Sequence, residues 1–262
     1  MLLIYGCVGA FVGILAGLLG VGGGLVIVPI LVFAFNLQNV SSEIIMHLAL
    51  GTSLASIMFT SVSSFMAHHK RGAVHWSIVR RIVLGILTGT FLGSCFASLL
   101  STDILKTFFV VFLYFVAYQF LTNKKPKPSR ELPGVTGMFA VGNGIGFISS
   151  LVGIGGGAVS VPYMVWCNVP VHRAIGTSAA IGLPIAISGT VGFLYNGWGN
   201  ELLPPYSLGF IYLPALVGIG AVSVLTAPVG ARLAHSLPVD KLKKIFALLL
   251  LIVGTRMLIS IF

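Results

Sequence analysis

Acidic side chains are nearly missing from this sequence. Five Asp and Glu stand against fifteen Lys and Arg in 262 residues. The five are Glu43, Asp103, Glu131, Glu201 and Asp240, each in or beside a polar stretch and none deep in an apolar one. A carboxylate proton relay or a sodium site within the apolar part therefore has no candidate. Cysteine is scarce too. Cys7, Cys95 and Cys167 are odd in number and lie within or beside apolar runs. They offer no disulfide framework and no metal-ligand spacing, and read as small buried hydrophobes. No metal or cofactor is expected. Charged residues make up only 8% of the chain, and no stretch is long and polar enough to be a separate soluble domain. The net charge of +10 would suit a nucleic-acid partner. The basic residues, however, are confined to segments between apolar runs, so membrane topology explains the excess and no nucleic-acid partner is expected.

What the chain has is hydrocarbon. Apolar residues are 57% of it and the mean hydropathy is +1.07. The apolar runs are unbroken rather than alternating, which predicts an all-α integral membrane protein and excludes a β-barrel. The N-terminus, apolar from Met1 and without a basic region, reads as part of the first membrane segment and not as a cleaved signal.

One stretch occurs twice: GLLGVGGGLVIVP, Gly17 to Pro29, and SLVGIGGGAVSVP, Ser150 to Pro162. Each glycine costs a helix interior about 1 kcal/mol relative to alanine. A Gly-X-Gly-Gly-Gly run therefore predicts a break in a membrane helix. Such breaks are tolerated at membrane depth only where protein or a wet cavity covers them. The return arms are short. Leu25 to Phe35 spans eleven residues and Ala158 to Val165 spans eight. Eleven residues make about 17 Å of helix, against about 30 Å of hydrocarbon.

The duplication extends further. HLALGTSLA at His47 matches HRAIGTSAA at His172, and TDILK at Thr102 matches VDKLK at Val239. Matches in the same order predict a first repeat over 1–122, a basic cytoplasmic linker over 123–133 and a second repeat over 134–262, together one transmembrane transport domain. Three clusters hold twelve of the fifteen basic residues: Lys70 to Arg81, Lys124 to Arg130, and Arg232 to Lys244. All three face the cytoplasm only if each glycine segment is a re-entrant hairpin followed by three crossings. The fold expected is thus two inverted repeats, each a glycine-broken re-entrant hairpin plus three transmembrane helices, with both termini outside. The alternative is that short arms cross by snorkelling and local thinning.

Inverted repeats bring the two breaks together at the bilayer midplane. The bare backbone of Gly22, Gly23 and Gly24, and of Gly155, Gly156 and Gly157, then presents N–H groups. The helices that follow aim their positive ends at the same spot, a site that favours an anion without a fixed cation. Thr52, Ser53, Thr177 and Ser178 could complete the anion's hydrogen bonds or serve packing, and Asn143 could line the cavity. His47 and His172 open the two matching spans as interfacial or capping residues, or as proton-sensitive ones. Arg256 is expected to reach the outer surface. The bland alternative is that the glycines only let helices cross closely.

The paired glycine-rich breaks, each followed by V-X-V-P, and the later G-T-S resemble the sulfite exporter TauE/SafE family of membrane transporters. The resemblance covers essentially the whole chain and rests on Gly22, Gly23, Gly24 and Pro29, and on Gly155, Gly156, Gly157 and Pro162. It implies a multi-pass permease of the inner membrane. The implied cargo is sulfite, sulfonates, thiosulfate or related sulfur anions, and the implied partners are that anion and the bilayer, with a homo-oligomer left open. The function expected is a secondary transporter working as an exporter. An inside-negative potential favours anion exit by about 2.3 kcal/mol per charge per 100 mV. The alternatives are an anion channel, or an importer of another small organic or inorganic anion. An intramembrane enzyme would need a nucleophile with a base, or a metal cluster. Only His68, His69 and His75 offer a start, in a basic loop, so no enzyme is expected.

Overall fold

The computed structural model describes residues 2–19, 23–122, 129–233 and 239–260. Among these the chain forms ten helices: α1 (Leu2–Leu19), α2 (Gly24–Leu37), α3 (Ile45–His69), α4 (Trp76–Ser98), α5 (Thr102–Thr122), α6 (Val135–Val152), α7 (Gly157–Trp166), α8 (Val171–Asn196), α9 (Leu213–Leu233) and α10 (Val239–Ile259). Among the described residues the only β pairing is an isolated bridge between Ser207 and Tyr212. Among the described residues six helices, α3, α4, α5, α6, α8 and most of α9, are long and apolar enough to cross a membrane. The chain is a multi-pass α-helical membrane protein. α10 is as long as α5, but carries Lys243, Lys244 and Arg256 along its length.

Several helices run further than hydropathy alone suggests. α4 begins at Trp76, so Arg80 and Arg81 ride its first turns and the loop before it shrinks to the residues between His69 and Trp76. Arginine is a good helix former, and its long stem lets the charge reach water from inside a helix. The return arms are also longer than expected, at fourteen residues in α2 and ten in α7.

Exchanging the first five helices for the second five leaves the packing scheme nearly unchanged. α1 lies on α9 and α6 on α4; α3 packs on both α8 and α9, and α8 on both α3 and α4; α5 faces α10. The seams are made by small residues. A Cβ on Gly85, Gly89 or Gly93 of α4 would lie 3.0, 2.5 or 2.9 Å from the Cα of Phe139, Asn143 or Phe147 of α6. The residues pair in ascending order, so α4 and α6 run parallel. On α1, Gly9 and Gly13 meet Ile219 and Ser223 of α9 in the same sense. Only a glycine lets two backbones come this close.

α3 and α8 run antiparallel: Gly51 sits beside Phe193, Leu54 beside Gly189, and Ser61 beside Gly182. α5 and α10 do the same, with Tyr114 bonded to Thr255 (2.9 Å) and Phe120 against Phe246. These directions put the segment between α3 and α4, the start of α6 and the start of α8 at one end of the bundle. That end carries Lys70, Arg71, Arg80, Arg81, Arg130 and Arg173. The opposite end holds the segments around Glu43, Asp103 and Glu201, together with Arg256.

Candidate functional site

Each pair α1–α2 and α6–α7 folds back on itself. At the open end of the first pair, the Gln38 amide donates to the Tyr5 hydroxyl (2.7 Å). Tyr212 donates to the Gln38 carbonyl oxygen (3.0 Å). At the open end of the second, the Ser129 N–H donates to the Trp166 carbonyl (3.2 Å). The Trp166 indole donates to Ser129 Oγ (2.8 Å), and the Arg130 guanidinium lies 4.7 Å over the indole. So α2 ends beside the start of α1, and α7 ends beside the start of α6. The two pairs open at opposite ends of the bundle.

The glycine that leads into each return helix has the same backbone conformation. Gly23 precedes α2 at φ 72°, ψ −10°, and Gly156 precedes α7 at φ 76°, ψ −7°. Both lie in the left-handed region, where an L-residue costs about 1–2 kcal/mol and a β-branched one more. Each elbow glycine sits on a matching side chain: a Cβ on Gly23 would lie 2.5 Å from Val12, and one on Gly156 would lie 3.4 Å from Ile145 and press on Ile185. After each glycine the chain re-enters a helix. The Val26 and Ile27 N–H groups bond the Gly23 carbonyl, and those of Val159 and Ser160 bond the Gly156 carbonyl. The N–H groups of Gly24 and Leu25, and of Gly157 and Ala158, stand ahead of the first acceptor that their own helix supplies.

The elbows touch. A Cβ on Gly24 would meet the Gly153 carbonyl oxygen and lie 2.9 Å from Ile154 Cα. Gly153, itself left-handed at φ 67°, packs on Val28 and Leu50. Its carbonyl accepts from Ser53 Oγ (2.7 Å). All residues from Leu151 to Ala158, and Gly23 and Gly24, are buried. Gly22 lies outside the described residues.

Hydroxyls surround the second elbow. Ser160 and Ser178 share a hydrogen bond (2.8 Å). Ser149 donates to the Ile145 carbonyl (2.6 Å), and its Oγ lies 3.3 Å from the Cβ position of Gly156. Ser61 Oγ and the Gly155 carbonyl both face Gly182 of α8, at 3.1 and 3.3 Å from its Cβ position. Ser149, Ser160 and Ser178 are at most 1% exposed.

Among the sequence candidates, Gly23, Gly24, Gly155, Gly156, Gly157, Ser53 and Ser178 come together here. Thr52 and Thr177 lie one residue away but turn elsewhere. Thr52 Oγ1 accepts the Tyr212 N–H (2.9 Å), and Thr177 Oγ1 accepts the His75 N–H (2.9 Å). Each thus caps the start of a helix in the other half, α9 or α4. Asn143 lies ten residues before Gly153, about 15 Å along α6 at 1.5 Å per residue. It accepts from Thr88 (3.0 Å) and donates to Phe139 on the α4–α6 seam. His47 is buried, with Nε2 3.1 Å from both the Ala97 and Leu100 carbonyls at the end of α4. His172 is exposed at the start of α8. Of the loop histidines, His69 packs on Phe65 and Trp76, and His75 Nδ1 bonds Ser77 Oγ (2.9 Å). Among the described residues no group of three or more His, Cys, Asp or Glu could hold a metal ion.

Ser149, Ser160 and Ser61 were not singled out from the sequence. The signal was present. Aligning the two breaks places Ser149 and Ser160 where the first copy has Ala16 and Ile27, and aligning the two G-T-S spans places Ser61 opposite Ala186.

Comparison with known proteins bears on what such a site handles. The family model described as "Sulfite exporter TauE/SafE" matches residues 5–257. A "Probable membrane transporter protein" of Haemophilus influenzae is 41% identical over 256 residues, covering 97% of this chain and 96% of the relative. One from Methanocaldococcus jannaschii is 27% identical over 254 residues, covering 96% and 93%, and one from Bacillus subtilis is 26% identical over 253 residues, covering 94% and 96%. No solved structure matches.

Proposed function

Since the chain belongs to the TauE/SafE family of membrane transporters, we propose that it is a secondary transporter, working as an exporter, of small sulfur oxyanions such as sulfite, thiosulfate or sulfonates. The anion sits where the two elbows meet. The observation that carries this reading is the contact of Gly24 with Gly153 and Ile154, which brings the N-terminal end of α2 against the buried elbow that leads into α7. Anions gather at such ends because the first N–H groups lack intrahelical acceptors and the helix dipole is positive there.

The architecture behind it is two inverted repeats, 1–122 and 134–262, joined by the basic linker. Matching helices α3 and α8 run antiparallel, and so do α5 and α10, which is what inversion requires. The hairpins open at opposite ends, so each re-enters from its own leaflet, and six crossings remain. With the basic end taken as cytoplasmic by the positive-inside rule, both termini lie outside, and we infer that the membrane is the cell's inner one.

The second elbow contributes most of the recognition. The Ser160–Ser178 pair has two protons, one of which bonds the partner hydroxyl, so the other is free for an anion. Ser149 and Ser61 flank it, and the Gly157 and Ala158 N–H groups complete the cradle. In the described state the Gly153 carbonyl, held by Ser53, lies against the first turn of α2. A carbonyl oxygen at a helix N-terminus occupies the place an anion oxygen would take. Release of Gly153 by Ser53 therefore accompanies loading. The tight, buried contact of the elbows supports a carrier with a gated site over an open channel.

The test is flux into proteoliposomes of the full chain under imposed voltage and pH gradients. Sulfite, thiosulfate, sulfoacetate and sulfate are offered in turn. Saturable, competitive uptake of at least one sulfur anion is expected. Conductance without saturation would favour a channel, and no anion flux from correctly assembled protein would sink the reading.

A further inference from the structure

A groove of about 290 Å³ runs between α2 and α10 at the end opposite the basic loops. Its walls include Ile30, Phe33 and Val253, and its polar rim Asn36, Arg256 and Ser260. The Arg256 guanidinium lies 5.4 Å over the Phe33 ring. Lys106 pairs with Asp103 on the same helix, and no described carboxylate neutralises Arg256. Phe33 and its neighbour Leu37 are half-exposed or more, so the groove opens sideways toward lipid rather than along a transport path.

We propose that this groove binds one anionic phospholipid of the leaflet at that end, with its phosphate on Arg256 and Asn36 and the first carbons of a chain along Ile30, Phe33 and Val253. The charge argues for this occupant. A guanidinium without a counter-charge, one turn from the end of a membrane helix, needs an anion held at headgroup depth, and its planar fork matches phosphate oxygens two at a time. The walls argue for it as well. A free oxyanion gains nothing from three apolar side chains, whereas an acyl chain does. The volume sits near the lower bound of small-molecule pockets, about 300 Å³. That fits a headgroup and its adjoining carbons while the rest of the lipid stays in the bilayer.

The experiment is native mass spectrometry of the full chain released from micelles containing phosphatidylglycerol, cardiolipin or phosphatidylcholine, beside thermal unfolding in the same lipids. One phosphatidylglycerol or cardiolipin is expected to stay bound to the wild type, with a stabilising shift that phosphatidylcholine does not give. Arg256→Gln is expected to lower retention about tenfold, and Arg256→Lys to lower it less. Val253→Trp, which fills the groove and leaves the guanidinium, is expected to lower it as well. That keeps the test valid should Arg256→Gln fail to assemble. Equal retention by wild type, Arg256→Gln and Val253→Trp overturns the proposal. So does protection by inorganic phosphate or sulfite equal to that by phosphatidylglycerol, which would mark a free-anion site. A lipid-free dimer that either variant splits would assign the groove to a second copy of the chain and overturn it too.

Discussion

The two elbows turn into their return helices through the same glycine conformation and differ in lining. Gly23 and Gly156 agree within a few degrees in both dihedrals, and Val12 and Ile145 hold matching places beneath them. Around the second elbow stand Ser149, Ser160, Ser178 and Ser61. The first copy has Ala16 and Ile27 at the aligned positions, and its matching Ser53 is spent on the Gly153 carbonyl. The shape is kept twice because a left-handed turn into a half-helix admits little but glycine. The hydroxyls are kept once. In the proposed transporter the first elbow is the wedge that closes the site and the second the receptor, so that the backbone carries the symmetry and the side chains the cargo.

The comparison breaks most severely at the glycines. Gly156→Val and Gly23→Val each force a β-branched residue to φ above 70°, beyond the roughly 1–2 kcal/mol that any L-residue costs there, and each adds a clash, with Ile185 at Gly156 and with Val12 at Gly23. Anion flux is expected to fall more than tenfold in both. Flux and folded yield, measured together in detergent and in proteoliposomes, check this. Unchanged flux with intact assembly at either elbow would remove that elbow from the site. Adding Val12→Ala to Gly23→Ala relieves the clash but not the dihedral, so recovery of flux in the double variant would show that space, and not backbone geometry, is what the glycine supplies.

The paired histidines sharpen the contrast at the next level. His47 is buried and bonds the end of α4, whereas His172 is exposed and makes no hydrogen bond among the described residues. His47→Ala leaves two carbonyls without that donor and opens a cavity. A lost partner of a buried polar group costs about 1–3 kcal/mol, so a lower unfolding temperature is expected. His172→Ala, at the surface, is expected to change stability by no more than about 0.5 kcal/mol. Thermal unfolding of the two variants side by side decides it. Equal shifts would mean that the second histidine has a role its surroundings do not show.

A substitution at the receptor asks whether hydroxyls or backbone dominate. Ser160→Ala is expected to raise the KM for the transported anion about five- to tenfold with little change in maximal rate, since one net hydrogen bond is worth about 1 kcal/mol. Ile27→Ser, which gives the first elbow the second elbow's residue, tests the asymmetry from the other side. If it restores binding lost in Ser160→Ala, the two elbows are interchangeable receptors and the wedge reading fails.

How much of this could be read beforehand follows from what each feature depends on. The helical class, the two breaks and the short return arms are local. They come from hydropathy and from glycine's backbone freedom, and all are visible in Gly17 to Pro29 and Ser150 to Pro162. That Gly85, Gly89 and Gly93 share one helix face follows from their four-residue spacing alone, and so is legible. Which neighbour that face meets, α6, is not. The start of α4 at Trp76 escaped because Arg80 and Arg81 read as loop by charge, yet arginine sits comfortably in a helix. Thr52 and Thr177 show the harder limit. Their type and position suited an anion, but their partners are N–H groups more than 100 residues away in sequence, which no local pattern reveals.

Those two threonines carry the smallest expected effect and the cleanest symmetry. Thr52 caps α9 at Tyr212, and Thr177 caps α4 at His75, each at 2.9 Å. Valine matches threonine in shape but offers no acceptor. Thr52→Val and Thr177→Val should therefore each cost about 1 kcal/mol, the usual worth of a helix cap. Because the two caps are equivalent by exchange of the halves and lie at opposite ends of the bundle, their costs should be equal and additive in the double variant. Unfolding measured for both singles and the double tests this. Neither single variant should change the KM for the anion, because the elbow hydroxyls belong to the neighbouring Ser53 and Ser178. A KM shift in Thr177→Val alone would move that residue from the cap into the receptor, and would mean that the second half spends its threonine on cargo where the first spends it on structure.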